Sequence, residues 1–349
     1  MNAIQGVNPH HSTGSVYHGG DLAAARAAFP DAPEPWLDLS TGINPNAYPM
    51  PKLDPEIWAR LPDRGRLQSL ERVAAERYGV ANGASVVAAP GTQALIQLLA
   101  RLRGASEIGI LDFTYAEYEK VWRGVGAKPY IVETLDALAE FDVAVVVNPN
   151  NPDGRLIPEQ GLVALASKMA RRGGLLIVDE AFMDVMPAGY SLAPKLPDCA
   201  VVLRSFGKTY GLAGVRLGFA IASAKLGEEL RGMLGPWAVS GPAIEIGCAG
   251  LADREWLARS IADLLDHSAA LDQALLRHGF GLVGGSPLFR LASHPNANLI
   301  FQALARQGVL LRRFPARPEW LRIAPPGNRT ALDRLNRALE RARELEQTR

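Results

Sequence analysis

A chain of 349 residues can bury a large core and divide into two domains. Its 48% hydrophobic and 21% charged content is ordinary for a globular protein, and a formal net charge of +1 gives no bulk attraction to nucleic acid or to a membrane surface. No apolar run is long enough to span a bilayer and Met1–Ser15 lacks the apolar stretch of a signal peptide, so neither membrane nor nucleic acid is an expected partner and the cytoplasm is the expected location.

Residues 1–17 read as an arm, with His10-His11 as solvated residues because no Cys, Asp or Glu nearby completes a metal site. No metal is expected. His18-Gly19-Gly20 follows, and Asp21 caps a short helix over Leu22–Ala28. Residues 37–45 read as a short strand running into a turn, and the Pro-rich stretch 48–55 as an extended linker. Apolar residues at Leu67, Leu70, Val73 and Ala74 have helical spacing, and Gly79 ends that helix.

A strand–turn–helix alternation then begins. Strands are expected at 85–89, 107–111, 143–147, 175–178 and 200–203, with 217–222 another and a candidate for antiparallel pairing. Helices are expected at 92–102, from 116 and over 158–171. Continuous apolar strands alternating with helices indicate an α/β sheet covered on both faces. Beyond Pro236 come helices at 243–251 and 255–278, strand-like pieces near 281–283, 288–291, 310–314 and 321–323, and a charged helix at 330–346. The expected division is a large domain over 38–242 and a small α+β domain over 243–349, with the arm 1–37 packing on the latter. Cys199 and Cys248 lie in apolar surroundings and read as buried thiols of a reducing compartment. His267 and His278, on the long helix, read as surface residues.

The run Leu203-Arg204-Ser205-Phe206-Gly207-Lys208-Thr209-Tyr210-Gly211-Leu212-Ala213-Gly214-Val215-Arg216-Leu217-Gly218 follows a buried strand and crowds cationic, hydroxyl and glycine residues together. Glycines let backbone approach a ligand closely, Ser205 and Arg216 suit a phosphate, and Lys208 carries an amine able to form a Schiff base. The chemistry uniting them is a covalently bound phosphorylated aldehyde, pyridoxal phosphate (PLP). Three other strand ends, where open α/β sheets bind ligands, carry matching groups. Gly91-Thr92-Gln93 opens a helix whose N–H groups can meet a phosphate. Asn151 lies in an Asn/Pro/Gly turn and can donate to a phenolate oxygen. Asp179 can pair with a protonated ring nitrogen. Each alone also has an ordinary reading, as a βα turn, turn chemistry or an ion pair.

Order and spacing together resemble the fold-type I PLP enzymes of the aminotransferase superfamily over nearly the whole chain. The carriers are Asn-Asn-Pro-x-Gly at 150–154, Asp-Glu-Ala-Phe at 179–182 and Ser-Phe-Gly-Lys-x-x-Gly-Leu-Ala-Gly-x-Arg-x-Gly at 205–218. The resemblance is to the branch that contains histidinol-phosphate aminotransferases and the threonine-phosphate decarboxylases of cobalamin biosynthesis. It implies a mostly parallel seven-stranded sheet sandwiched by helices, a smaller α+β domain, and a homodimer. It implies that Lys208 anchors PLP covalently, Asp179 pairs with the ring nitrogen and Asn151 meets the ring oxygen. Gly91, Thr92, Gln93, Ser205 and Arg216 would hold the cofactor phosphate. Tyr115 would stack on the ring, though a core aromatic is an equal reading. Arg322 matches the carboxylate-binding arginine, and Arg312 would take a second anionic group. Two departures stand out: Phe182 replaces a Tyr that donates to the ring oxygen in many relatives, and Leu61 replaces a Tyr that reaches the partner subunit's cofactor phosphate.

The cofactor motifs leave the reaction open, because PLP weakens all three remaining bonds at the substrate Cα and orientation selects among them. The segment His18-Gly19-Gly20-Asp21 followed by Asp38-Leu39-Ser40-Thr41-Gly42-Ile43-Asn44-Pro45 resembles the opening of threonine-phosphate decarboxylases. The expected substrate is therefore a small phosphorylated amino acid, L-threonine O-3-phosphate, decarboxylated to (R)-1-amino-2-propanol O-2-phosphate. His18, Gly42, Asn44, Arg312 and Arg322 are its expected ligands. The alternative is a histidinol-phosphate or related aminotransferase. A PLP-binding transcriptional regulator would need a DNA-binding module, and only a short arm precedes Asp38. A dinucleotide fold lacks its Gly-x-Gly-x-x-Gly.

Overall fold

The computed structural model describes residues 19–104 and 107–347, with side chains to 345. Among them two compact units separate. The larger comprises Tyr48–Asn151 and Leu156–Arg254; the smaller comprises the residues up to Ala47, Pro152–Arg155 and those from Glu255 onward.

The larger unit is built on a seven-stranded sheet in the order Ala84–Ala89, Gly218–Ser223, Ala200–Ser205, Leu175–Asp179, Val143–Val147, Glu107–Leu111, Lys128–Val132. Gly218–Ser223 runs antiparallel to both neighbours, and every other pairing is parallel. Val143–Val147 and Leu175–Asp179 are buried at every position, as strands covered on both faces are. On one face Val143, Val145, Ile177, Val201 and Leu203 meet Leu95 and Leu99 of helix Thr92–Arg103, Tyr118 and Trp122 of helix Glu117–Gly124, and Leu226 and Leu230 of helix Ala224–Leu234. The period of two along each strand is what sends these residues to one side. The edge strand Lys128–Val132 is not apparent in the sequence: it contains Pro129, which an edge tolerates, and is nowhere fully buried.

Helix Gly241–Ala252 packs on helix Arg64–Tyr78. It therefore belongs with the larger unit, and the division falls at Arg254/Glu255, whereas the sequence suggests 242/243.

The smaller unit has a four-stranded antiparallel sheet in the order Arg312–Phe314, Arg317–Ile323, Phe289–Ser293, Gly281–Ser286. A separate parallel pair joins Leu37–Asp38 to Val309–Leu310. The run 310–314 is thus not one strand: its two ends pair in different sheets, on either side of buried Leu311. Leu39, Leu271, Leu275, Phe301, Leu304 and Leu335 form its core. Asp21 caps Leu22–Ala28 by accepting the Ala24 N–H at 2.9 Å.

Two expectations need correction. Cys199 and Cys248 are free thiols but only half-buried. His267 and His278 are half-buried rather than on the surface, because they flank the inward positions Ser268 and Leu275; burial lowers the His278 pKa. Among the described residues, no helix is long and apolar enough to cross a membrane.

Candidate active site

Strand register assembles the first part of the site. Gly218 pairs with Ser205 on one side and with Ala89 on the other, so the ends of three strands share one edge of the sheet. Gly91 follows at φ +85°, a backbone conformation that favours glycine. A Cβ on Gly91 would lie 2.7 Å from Arg216 Nη2, and one on Gly218 would lie 2.6 Å from the Thr92 nitrogen. The result is a side-chain-free cradle under a guanidinium, at the start of the twelve-residue helix Thr92–Arg103. The first N–H groups of a helix have no partner within it, and its positive end faces the cradle. Arg216 is itself left-handed at φ 53°, and its Nη1 donates to the Ala213 carbonyl at 3.1 Å. Strain of this kind collects at ligand sites. The Gln93 side chain is engaged elsewhere: its Nε2 donates to Glu117 at 2.9 Å and its Oε1 accepts from Tyr115 at 3.4 Å.

Lys208 sits on the single helical turn Phe206–Thr209 after strand Ala200–Ser205. Its Nζ lies 5.7 Å from the centroid of the Phe182 ring. Asp179 ends its strand between Val147 and Leu203 in register and is buried. One carboxylate oxygen accepts the Tyr118 hydroxyl at 2.9 Å and the other the Ala181 N–H at 3.0 Å. Burial raises the Asp179 pKa above the ordinary value, against the pull of those two donors and the Lys208 charge.

The asparagines of the 148–151 turn divide by role. Asn148 donates to the carbonyls of Ile157 and Tyr190, and Asn150 donates to the Phe113 carbonyl and accepts from Thr114. Those two are pegs of the turn, and Asn151 follows them, half-buried. Tyr115 is half-buried and stands edge-on to Tyr118, with ring centroids 6.4 Å apart.

The sequence gives little hint of a buried ionic network behind Asp179. Arg204 donates to Glu180 at 2.8 Å and also to Asp184, and its guanidinium lies 4.3 Å from the Tyr78 ring centroid. Glu180 further accepts from Ser191 at 2.6 Å and from the Leu192 N–H at 2.7 Å. Burial acts to lower the Arg204 pKa, but the two carboxylates outweigh it and the guanidinium stays charged. The network ties the 180–184 turn to the strand that leads into Lys208, which fixes both functional groups to rigid elements.

In the smaller unit, Arg322 is 7% exposed, donates to the Ser40 carbonyl at 3.0 Å and lies 5.3 Å from the Phe289 ring centroid. Arg312 is its direct partner on the neighbouring strand. Ser40 accepts the Gly20 N–H at 2.7 Å and donates to Asp38 at 2.5 Å. Gly42 is buried in the same turn. Asn44 donates to Ser260 at 2.7 Å and accepts the Asn46 N–H at 3.0 Å, which makes it a brace of that turn. His18 lies outside the described residues. Leu61 is 68% exposed.

This donor set fits PLP: a cradle that excludes side chains and suits a phosphate, a buried carboxylate for a ring nitrogen, and an amine on the adjoining strand end. Among the described residues, no three His, Cys, Asp or Glu side chains gather as a metal site.

Comparison with known proteins places the chain. It is 42% identical over 333 residues to a threonine-phosphate decarboxylase of Sinorhizobium sp, covering 92% of this chain and 98% of that protein. It is 40% identical over 332 residues to a threonine-phosphate decarboxylase of Pseudomonas aeruginosa, covering 92% and 96%. The fold matches the crystal structure of a histidinol-phosphate aminotransferase from Sinorhizobium meliloti in complex with pyridoxal-5'-phosphate, with a TM-score of 0.81, 18% identity, and 95% and 96% of the two chains covered. The pattern of the family described as aminotransferase class I and II matches residues 17–339, and the chain belongs to that family.

Proposed function

We propose that this chain is a PLP-dependent lyase that decarboxylates L-threonine O-3-phosphate to (R)-1-amino-2-propanol O-2-phosphate, a step of cobalamin biosynthesis. The observation that carries the reading is near-full-length identity of 40–42% with two threonine-phosphate decarboxylases. The cradle at Gly91, Gly218 and Arg216 and the buried Asp179 support the cofactor.

When bound, PLP supplies a ring that draws electrons from a bond at the substrate Cα. The chain's own residues do the rest. Lys208 would supply the amine that holds the cofactor. Ser205, Arg216 and the backbone N–H groups of Thr92 and Gln93 bind the cofactor phosphate. Asn151 donates to the ring oxygen, a task Phe182 cannot share, and Tyr115 covers the ring. Asp179 holds a proton on the ring nitrogen. Arg322 takes the substrate carboxylate and Arg312, with His18, its phosphate, which orients the Cα–carboxylate bond for cleavage. Lys208 or a water would deliver to Cα the proton that replaces the departing carboxylate.

The enzyme acts as a homodimer in the cytoplasm. Two free thiols suit a reducing compartment. Met50, Trp58 and Leu61 stand exposed along residues 50–61, and a second copy covering them accounts for it.

The test is carbon dioxide release from O-phosphothreonine by the PLP-loaded protein with no keto acid present. Turnover of histidinol phosphate that depends on 2-oxoglutarate, with no carbon dioxide from O-phosphothreonine, would reject the reading in favour of an aminotransferase.

A further inference from the structure

Tyr118 has no part in the chemistry above. Its side chain is fully buried in helix Glu117–Gly124, and its hydroxyl meets Asp179 Oδ2 at 2.9 Å. Asp179 Oδ1 receives the Ala181 N–H at 3.0 Å. Each carboxylate oxygen thus accepts one of these two donors. Hydrogen bonds received by the charged form favour that form, and two of them fix the carboxylate plane. Burial and the Asp179 charge hold the Tyr118 hydroxyl well above the usual phenol range, so it keeps the proton it donates to the carboxylate.

The same helical turn reaches the phosphate cradle. Glu117, beside Tyr118, accepts from Gln93 at 2.9 Å, and Tyr115 donates to the same Gln93 side chain. One turn therefore braces both Asp179 and the start of helix Thr92–Arg103.

We propose that Tyr118 is the positioning residue of Asp179: its hydroxyl keeps the carboxylate ionised and in one orientation, so that the proton on a heterocyclic nitrogen bound there stays on the ring. This rests on the PLP reading. Without the hydroxyl, Asp179 becomes the stronger base and the shared proton moves toward its oxygen. A tyrosine that merely fills the core would show no such linkage, because Phe preserves its packing.

The experiment is a double-mutant cycle on PLP affinity in the full-length protein: wild type, Tyr118→Phe, Asp179→Asn and the pair together. Alongside it, nitrogen NMR of ring-labelled PLP bound to wild type and to Tyr118→Phe reports where the proton lies. Tyr118→Phe is expected to weaken PLP binding about tenfold, the scale of a hydrogen bond to a charged group. In the Asp179→Asn background the loss should shrink to about twofold or less, the coupling a cycle isolates. The ring-nitrogen signal should move toward the neutral-pyridine position in Tyr118→Phe. Equal weakening in both backgrounds, or an unmoved ring-nitrogen signal, overturns the proposal alone. A wild-type protein that does not bind PLP overturns the cofactor reading and this proposal with it.

Discussion

Arg312 and Arg322 stand directly opposite each other on neighbouring antiparallel strands, so their side chains leave the same face of the small sheet. Arg322 is also pinned by the Ser40 carbonyl at 3.0 Å. Like charges placed directly opposite are destabilising by about 0.2–1 kcal/mol, a cost that an anionic ligand would offset. Arg312→Met is therefore expected to leave the unliganded protein as stable as wild type or slightly more so, while raising KM for O-phosphothreonine at least about tenfold. Urea unfolding and steady-state kinetics on one preparation check both halves.

Gly19 has no room for a side chain: a Cβ there would lie 2.3 Å from the Ser40 carbonyl oxygen, which is the acceptor of Arg322. Gly19→Ala must shift Ser40 and with it the arginine. We expect kcat/KM to fall by about tenfold to a hundredfold, the scale of a misplacement near 1 Å, with PLP affinity unchanged. A fall in PLP affinity of the same size would contradict this, since the residues proposed to hold the cofactor belong to the larger unit.

Stability of the cofactor-free protein should carry the signature of Asp179. Its pKa is raised above the unfolded value of 3.8 chiefly by burial. The folded state then binds the proton more tightly than the unfolded chain, so the contribution is fully present below pH 3.8 and is lost as pH rises through the folded-state value. Asp179→Asn removes that loss. The difference in urea midpoint between the variant and wild type, both without PLP, should shift in the variant's favour as pH rises from about 4 toward neutrality. With PLP bound the order should reverse, because the variant lacks the counter-ion of the ring nitrogen.

Arg204 stands between two buried carboxylates, Glu180 and Asp184. Arg204→Met strands both charges and should cost about 3–5 kcal/mol of stability. The deficit should narrow on acidification, as the orphaned carboxylates take up protons. Adding Glu180→Gln should recover part of it at neutral pH. A variant that unfolds like wild type would remove the network from the account of how Lys208 and Asp179 are held.

The parts of this molecule that the sequence makes plain are those where one physical signal dominates. Val143–Val147 and Leu175–Asp179 are unbroken apolar runs because they are covered on both faces. Lys208, Asp179 and Gly91 are each ordinary at a strand end or turn and become legible only through their order and spacing along the chain. Lys128–Val132 is hidden because an edge strand needs no apolar run. The split at Leu311 is invisible because one extended stretch serves two sheets, and strand partners lie far away in sequence. Tyr118 and Arg204 act through residues 61 and 20–24 positions distant. In sequence one is an aromatic on a helix and the other a cation inside a motif. Asn44 carries a polar amide in a suggestive turn, and its bond to Ser260, 216 positions away, is not visible in the sequence.

The most direct measurement follows Lys208 and the products together. The PLP-loaded protein, given O-phosphothreonine alone, should release carbon dioxide in step with 1-amino-2-propanol O-2-phosphate. Lys208→Ala should release none and should retain no cofactor covalently after borohydride treatment. Amino-group transfer to 2-oxoglutarate without carbon dioxide, or cofactor still fixed to the Lys208→Ala protein, would contradict the central claim.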